Sequence, residues 1–112
     1  MEKIRIAIID DDPILVEHLR FLLSKPEHNL QVEAVFSNID AFFDFFLEKA
    51  PRLDVILLDL DLGGSLSIPH ISRLKRLTSP ARVIIVTGYE DDHMLTEAVE
   101  AGADGYFVKR PR

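Results

Sequence analysis

Acidic, hydroxyl and ammonium side chains follow four apolar segments of this sequence, each where a segment ends. They are Asp10-Asp11-Asp12, Asp59, Thr87 and Lys109. Clustered carboxylates raise one another's pKa unless they share a cation. With no cysteine in the chain and no paired histidines, a hard divalent ion such as Mg²⁺ suits these oxygens best. Beside such an ion, one carboxylate can attack phosphorus while hydroxyl and ammonium groups bind phosphoryl oxygens.

The elements that would position these residues alternate between strands and helices. Strands are predicted at Lys3–Ile9, Leu30–Phe36, Leu53–Leu58, Arg82–Val86 and Tyr106–Val108. Helices are predicted from Pro13 towards Pro26, over Ile39–Ala50, over Pro69–Leu77, and from Asp91 or Asp92 to Ala101. Asp12 is predicted to cap the first helix, and Ser37 with Asp40 resembles a capping pair for the second. This order predicts an α/β fold whose parallel strands end at one shared edge.

Composition narrows the class of protein. A chain of 112 residues, 47% of them apolar, predicts one globular domain. The net charge of −6 argues against binding of nucleic acid by the domain itself. No apolar run approaches the ~20 residues of a membrane span, and the first run is broken by aspartates, unlike a signal peptide. We therefore expect a cytoplasmic domain that contacts neither membrane nor nucleic acid.

Four segments together resemble the receiver domain of bacterial two-component response regulators. They are IIDDDP, VILLDLDL, VIIVTG and AGADGYFVK, and the resemblance extends from Lys3 to Lys109. It implies a flavodoxin-like, doubly wound, five-stranded parallel sheet in the order 2-1-3-4-5. It also implies that residues 1–112 form one receiver domain, the N-terminal part of a longer response regulator.

The resemblance implies a phosphorylation-controlled switch rather than an enzyme in the usual sense. Asp59 corresponds to the phosphoryl acceptor, with Thr87 and Lys109 as phosphoryl-binding residues. Mg²⁺ would be held by Asp10, Asp11, Asp59 and the backbone carbonyl of Asp61. Thr87 and Tyr106 would form the switch that reshapes the face of the fourth helix and fifth strand. The implied partners are a histidine kinase, an effector domain in the same chain that is often DNA-binding, and a second copy in a homodimer.

The sequence departs from this family in three places. Gly63 and Ser67 stand where the family usually has proline and glycine, which predicts a more flexible loop into the third helix. Arg110 follows Lys109 where the family usually has proline. Only three residues follow Lys109, whereas the family usually adds a fifth helix, so we expect apolar surface on the side of the first helix to be open to water.

Two other functions are compatible with the same residues. VILLDLDLGG also resembles the first motif of haloacid-dehalogenase-type phosphatases, with Asp59 as nucleophile, Asp61 as acid/base, and Thr87 and Lys109 as phosphate binders. The order of the motifs and the short chain disfavour that interpretation. An inactive receiver that serves only as an interaction module is disfavoured because no acidic or switch position is lost.

Overall fold

A five-stranded parallel sheet forms the centre of the molecule. The computed structural model describes residues 2–88 and 91–109. The strands of the sheet are β1 (Ile4–Ile9), β2 (Leu30–Phe36), β3 (Val55–Leu58), β6 (Arg82–Thr87) and β7 (Gly105–Val108). Two further short strands, β4 (Asp61–Leu62) and β5 (Ser65–Leu66), pair only with each other. The sheet has the order β2-β1-β3-β6-β7, and every neighbouring pair is parallel. Since β6 and β7 are the predicted fourth and fifth strands, the predicted 2-1-3-4-5 order is confirmed.

Helices lie where the apolar periodicity places them. They are α1 (Pro13–Leu23), α2 (Ile39–Lys49), α3 (Ile68–Thr78) and α4 (Asp92–Glu100), with a short 3₁₀ helix at Pro26–His28. The Asp12 carboxylate accepts hydrogen bonds from the backbone of Ile14 at 3.0 Å and Leu15 at 3.2 Å, so the predicted cap of α1 is confirmed. No helix in the described ranges is both long enough and apolar enough to cross a membrane.

The predicted cap of α2 is wrong by one residue. Asn38, and not Ser37, precedes the first helical residue, and its side-chain oxygen accepts from the backbone of Ala41 at 2.8 Å. Both residue types cap helices well, so composition could not choose between them. In the structure, Asn38 has the extended backbone (φ −150°) that an N-cap residue adopts.

The two faces of the sheet are covered unequally. Ala7, Ile9, Ile56 and Ile85 belong to the large core on one face. The helices contribute to this core through Phe42 and Phe43 of α2, Ile71 and Leu74 of α3, and Leu95 and Ala98 of α4. Ile6 and Ile8 form a smaller core with Val16 of α1 on the other face. Strand register places Phe107 on this second face, and it is 69% exposed. That exposure agrees with the expected open apolar surface, whereas Arg110–Arg112, on which the fifth-helix expectation falls, lie outside the described residues.

The segment between β3 and α3 forms a hairpin, whereas its sequence predicts a loop. β4 and β5 pair antiparallel across Gly63 and Gly64. Both glycines have positive φ, +67° and +88°, as a two-residue turn of the type I′ class requires. The Asp61 carboxylate accepts from the backbone of Gly64 at 2.8 Å and closes the turn.

Candidate functional site

Two buried aspartates and one lysine meet at the carboxyl edge of the sheet. Asp10 follows β1, Asp59 follows β3, and Lys109 follows β7, so parallel pairing brings them to one edge. The Lys109 Nζ lies 3.0 Å from Asp59 Oδ2 and 3.1 Å from Asp10 Oδ2. The backbone N–H of Asp59 donates to the carbonyl of Ile9 at 3.0 Å, which ties the two strand ends together. One ammonium group therefore bridges two carboxylates.

A third carboxylate completes an acidic cluster. Asp10, Asp11 and Asp59 each offer an oxygen, and these oxygens lie within 4.8 Å of one another. Asp11 is exposed, whereas the other two are buried. Three carboxylates beside one ammonium leave two negative charges in excess when all are ionised. An all-oxygen set with that charge fits a hard divalent cation.

The cluster opens into a shallow depression of about 440 Å³. Its lining residues are Asp11, Asp12, Asp59, Asp61, Gly63, Gly64, Gly88 and Lys109. The backbone N–H of Asp61 donates to Asp59 Oδ1 at 3.3 Å, so Asp61 sits directly against the buried carboxylate. Asp12 reaches the rim, but its carboxylate caps α1. Asp59 thus lies at the floor of an open depression, although it is itself buried.

Burial and neighbouring charges shift the pKa values of both Asp59 and Lys109. Burial raises the pKa of Asp59, and the nearby Asp10 carboxylate raises it further; the hydrogen bond and charge of Lys109 only partly offset this. Burial alone would lower the pKa of Lys109, but its hydrogen bonds to Asp59 and Asp10 and their charges raise it instead. The ammonium therefore stays charged at neutral pH. Asp59 is a more basic carboxylate than an exposed one.

The two residues predicted as a switch differ in environment. Thr87 is fully buried at the end of β6, and its backbone carbonyl accepts from the backbone of Lys109 at 2.6 Å. Tyr106 is 51% exposed and lines an open depression beside α4. Strand register places both side chains on the sheet face that packs against α4. Thr87 thus lies at the acidic edge, whereas Tyr106 lies outside the cluster.

Ser67, which from the sequence is only a departure from the family pattern, lies against Asp59 in the structure. Its hydroxyl donates to the backbone carbonyl of Asp59 at 2.7 Å, and its backbone N–H donates to the carbonyl of Leu60 at 2.8 Å. The side chain is 1% exposed. A serine eight residues after Asp59 carries no signal of this contact, because the hairpin that brings the two together was not predicted.

Comparison with known sequences gives one family. A profile for the response regulator receiver domain matches residues 6–112. The sensory transduction protein LytT of Bacillus subtilis (strain 168) is 28% identical over 106 residues, which are 95% of this chain and 42% of LytT. The nitrate/nitrite response regulator protein NarP of Escherichia coli (strain K12) is 31% identical over 105 residues, 94% of this chain and 47% of NarP. The chain spans about half the length of the curated relatives it matches.

Solved structures agree with the sequence comparison. A response regulator from Burkholderia pseudomallei, solved with a phosphorylated aspartic acid, a calcium ion and citrate, has a TM-score of 0.83 and 27% identity. The match covers 98% of this chain and 62% of that one. A LuxR-family response regulator from Aurantimonas sp. SI85-9A1 has a TM-score of 0.79 and 28% identity over 94% of this chain and 73% of that one.

Proposed function

This chain belongs to the response regulator receiver domain family, and from that premise we propose that it is a signalling switch whose phosphoryl acceptor is Asp59. The observation that carries the proposal is the bridge from Lys109 Nζ to Asp59 and Asp10, with Asp11 completing the acidic cluster. Membership of this family separates the chain from the haloacid-dehalogenase-type phosphatases. An inactive receiver would have no use for a cluster with two uncompensated negative charges.

The proposed reaction is transfer of a phosphoryl group from a phosphohistidine of a histidine kinase. An Asp59 carboxylate oxygen attacks phosphorus, an O–P bond forms, and the P–N bond to the imidazole breaks. The electron pair of the broken bond returns to the imidazole nitrogen, which then takes a proton. Lys109 and Thr87 would donate hydrogen bonds to the phosphoryl oxygens, where negative charge accumulates.

The residues at the edge fit Mg²⁺. Asp10, Asp11, Asp59 and the backbone carbonyl of Asp61 supply only oxygen donors, which Mg²⁺ prefers. When bound, the ion supplies positive charge that neutralises the equatorial phosphoryl oxygens. The Burkholderia pseudomallei relative combines a phosphorylated aspartic acid with a calcium ion, which supports the same pairing of anion and divalent cation here.

Phosphorylation would be communicated through Thr87 and Tyr106. A phosphoryl group adds negative charge and strong acceptor oxygens, to which the Thr87 hydroxyl can donate. Movement of Thr87 towards Asp59 would open space on the sheet face that Tyr106 shares, so Tyr106 would turn inward and reshape the surface beside α4. In the full protein this surface would control an effector domain, DNA-binding in many response regulators, or a homodimer.

The decisive experiment labels the domain with acetyl phosphate and Mg²⁺ and locates the added phosphoryl group by mass spectrometry. We expect one group on Asp59, complete loss in Asp59→Asn, and normal labelling in Asp12→Asn, which keeps the helix cap. Beryllofluoride with Mg²⁺ should shift the amide signals of Tyr106 and Met94. Labelling of Asp59→Asn would refute the assignment, and turnover of a generic phosphomonoester would favour a phosphatase. Neither labelling nor Mg²⁺ binding by the wild type would favour the inactive interaction module.

A further inference from the structure

Both backbone polar groups of Asp59, its N–H and its carbonyl, make hydrogen bonds to neighbouring segments. Its N–H donates to the carbonyl of Ile9 at 3.0 Å, and its carbonyl accepts from the Ser67 hydroxyl at 2.7 Å. The next carbonyl, that of Leu60, accepts from the backbone N–H of Ser67 at 2.8 Å. Ser67 therefore fastens two consecutive peptide groups at the exit of β3.

We propose that Ser67 is a positioning residue for phosphoryl transfer to Asp59, an inference that rests on the proposed function. Its two hydrogen bonds close the base of the β4–β5 hairpin, so residues 59–61 are held between β1 and the start of α3. That short stretch carries the acceptor carboxylate and also Asp61, whose N–H donates to Asp59 Oδ1 at 3.3 Å. The serine hydroxyl thereby sets where the acceptor lies relative to Lys109 and Asp11.

Burial makes the hydroxyl hard to replace. Ser67 is 1% exposed and Asp59 is 7% exposed, so little water reaches the Asp59 carbonyl if the hydroxyl is removed. The peptide would then turn to find another donor and carry the carboxylate with it. Small displacements of a reacting group reduce transfer rates strongly, even when the fold is intact.

Ser67→Ala and Ser67→Thr separate this role from a general effect on folding. Alanine removes the donor, whereas threonine keeps it and adds one methyl group at a residue that lines a cavity of about 250 Å³. Thr78→Val is the matched control, because the buried Thr78 hydroxyl also donates to a backbone carbonyl, that of Leu74 at 2.8 Å, but at the far end of α3.

The measurement is the initial rate of Asp59 labelling by acetyl phosphate across a Mg²⁺ titration, with the thermal midpoint of each variant recorded in parallel. We expect Ser67→Ala to label about tenfold more slowly, as is typical when a residue that orients a ligand is lost. Ser67→Thr should recover most of the rate, and Thr78→Val should label like the wild type. Ser67→Gly is the second test of donor removal if the alanine variant does not fold, and it should be as slow.

The inference is wrong if a variant without the hydroxyl labels at the wild-type rate, if threonine labels as slowly as alanine, or if Thr78→Val slows labelling equally. These outcomes differ from a failure of the proposed function. In that case the wild type takes up no phosphoryl group, or Asp59→Asn still takes one up.

Discussion

Two lysine–aspartate pairs lie at opposite ends of the sheet and behave differently. At the carboxyl edge, Lys109 Nζ is 3.0 Å from Asp59 Oδ2; at the amino edge, Lys75 Nζ is 2.7 Å from Asp104 Oδ2. The two lysine side chains are almost equally exposed, 24% and 25%. Nevertheless, the pKa of Asp59 is raised and the pKa of Asp104 is lowered.

The surroundings of each carboxylate explain the difference. Asp59 is buried and shares its ammonium with a second carboxylate, Asp10. Burial alone would raise the pKa of Asp104 too, but hydrogen bonds from Lys75 and the backbone of Val83, with the charges of Lys75 and Arg82, outweigh it. The amino edge is thus a satisfied structural contact. The carboxyl edge keeps an excess of negative charge, which under the proposed function a divalent cation would neutralise.

The largest expected effect comes from replacing each lysine by methionine in a separate variant. Methionine keeps most of the aliphatic part of the side chain and removes the ammonium group. Lys109→Met should slow Asp59 labelling by acetyl phosphate by about a hundredfold or more, because the proposed donor to the phosphoryl oxygens is lost. Lys75→Met should label normally and lose about 1–2 kcal/mol of unfolding free energy. Labelling rates and urea unfolding test both, and comparable slowing in the two variants would abolish the distinction between the edges.

A smaller effect separates adjacent aspartates within the carboxyl edge. Asp11→Ala should weaken Mg²⁺ binding by roughly tenfold to a hundredfold, because Mg²⁺ gives up water reluctantly and needs anionic ligands. Asp12→Asn should bind Mg²⁺ like the wild type, since the Asp12 carboxylate is engaged in capping α1. Calorimetric titration with Mg²⁺ measures both affinities. Equal losses would mean that the cap and the ligand have been confused.

The smallest expected effect concerns the contribution of Asp104, at the amino edge, to the stability of the fold. Asp104→Asn should cost on the order of 1 kcal/mol at neutral pH, because a charge-assisted hydrogen bond becomes a neutral one. Since the folded-state pKa of Asp104 lies below its ordinary value of 3.8, the wild-type carboxylate stabilises the fold above that value and loses this advantage as the pH falls through the folded pKa. Urea unfolding from neutral to acidic pH should show the difference in unfolding free energy between the wild type and Asp104→Asn becoming smaller. A difference in unfolding free energy that grows on acidification would contradict a stabilising ion pair between Asp104 and Lys75.

Much of the fold followed from apolar periodicity and strand-end residues. Long apolar runs located the five parallel strands, and the parallel order predicted that Asp10, Asp59 and Lys109 would converge. The β4–β5 hairpin was missed because two-residue strands are too short to show alternation. The contact of Ser67 with Asp59 was missed because it depends on that hairpin, and the cap at Asn38 because an adjacent residue satisfied the same rule.

The Gly63–Gly64 turn limits which sequences could replace this loop one mutation at a time. Proline holds φ at about −65°, so Gly63→Pro is incompatible with the φ of +67° found there. Gly63→Asn is the gentlest change, since asparagine before glycine is favoured in such turns. A lineage moving towards a proline at this position would have to rebuild the turn and its anchor at Ser67 together. We therefore expect residues 61–67 of this chain to tolerate replacement as one block better than replacement by a single proline.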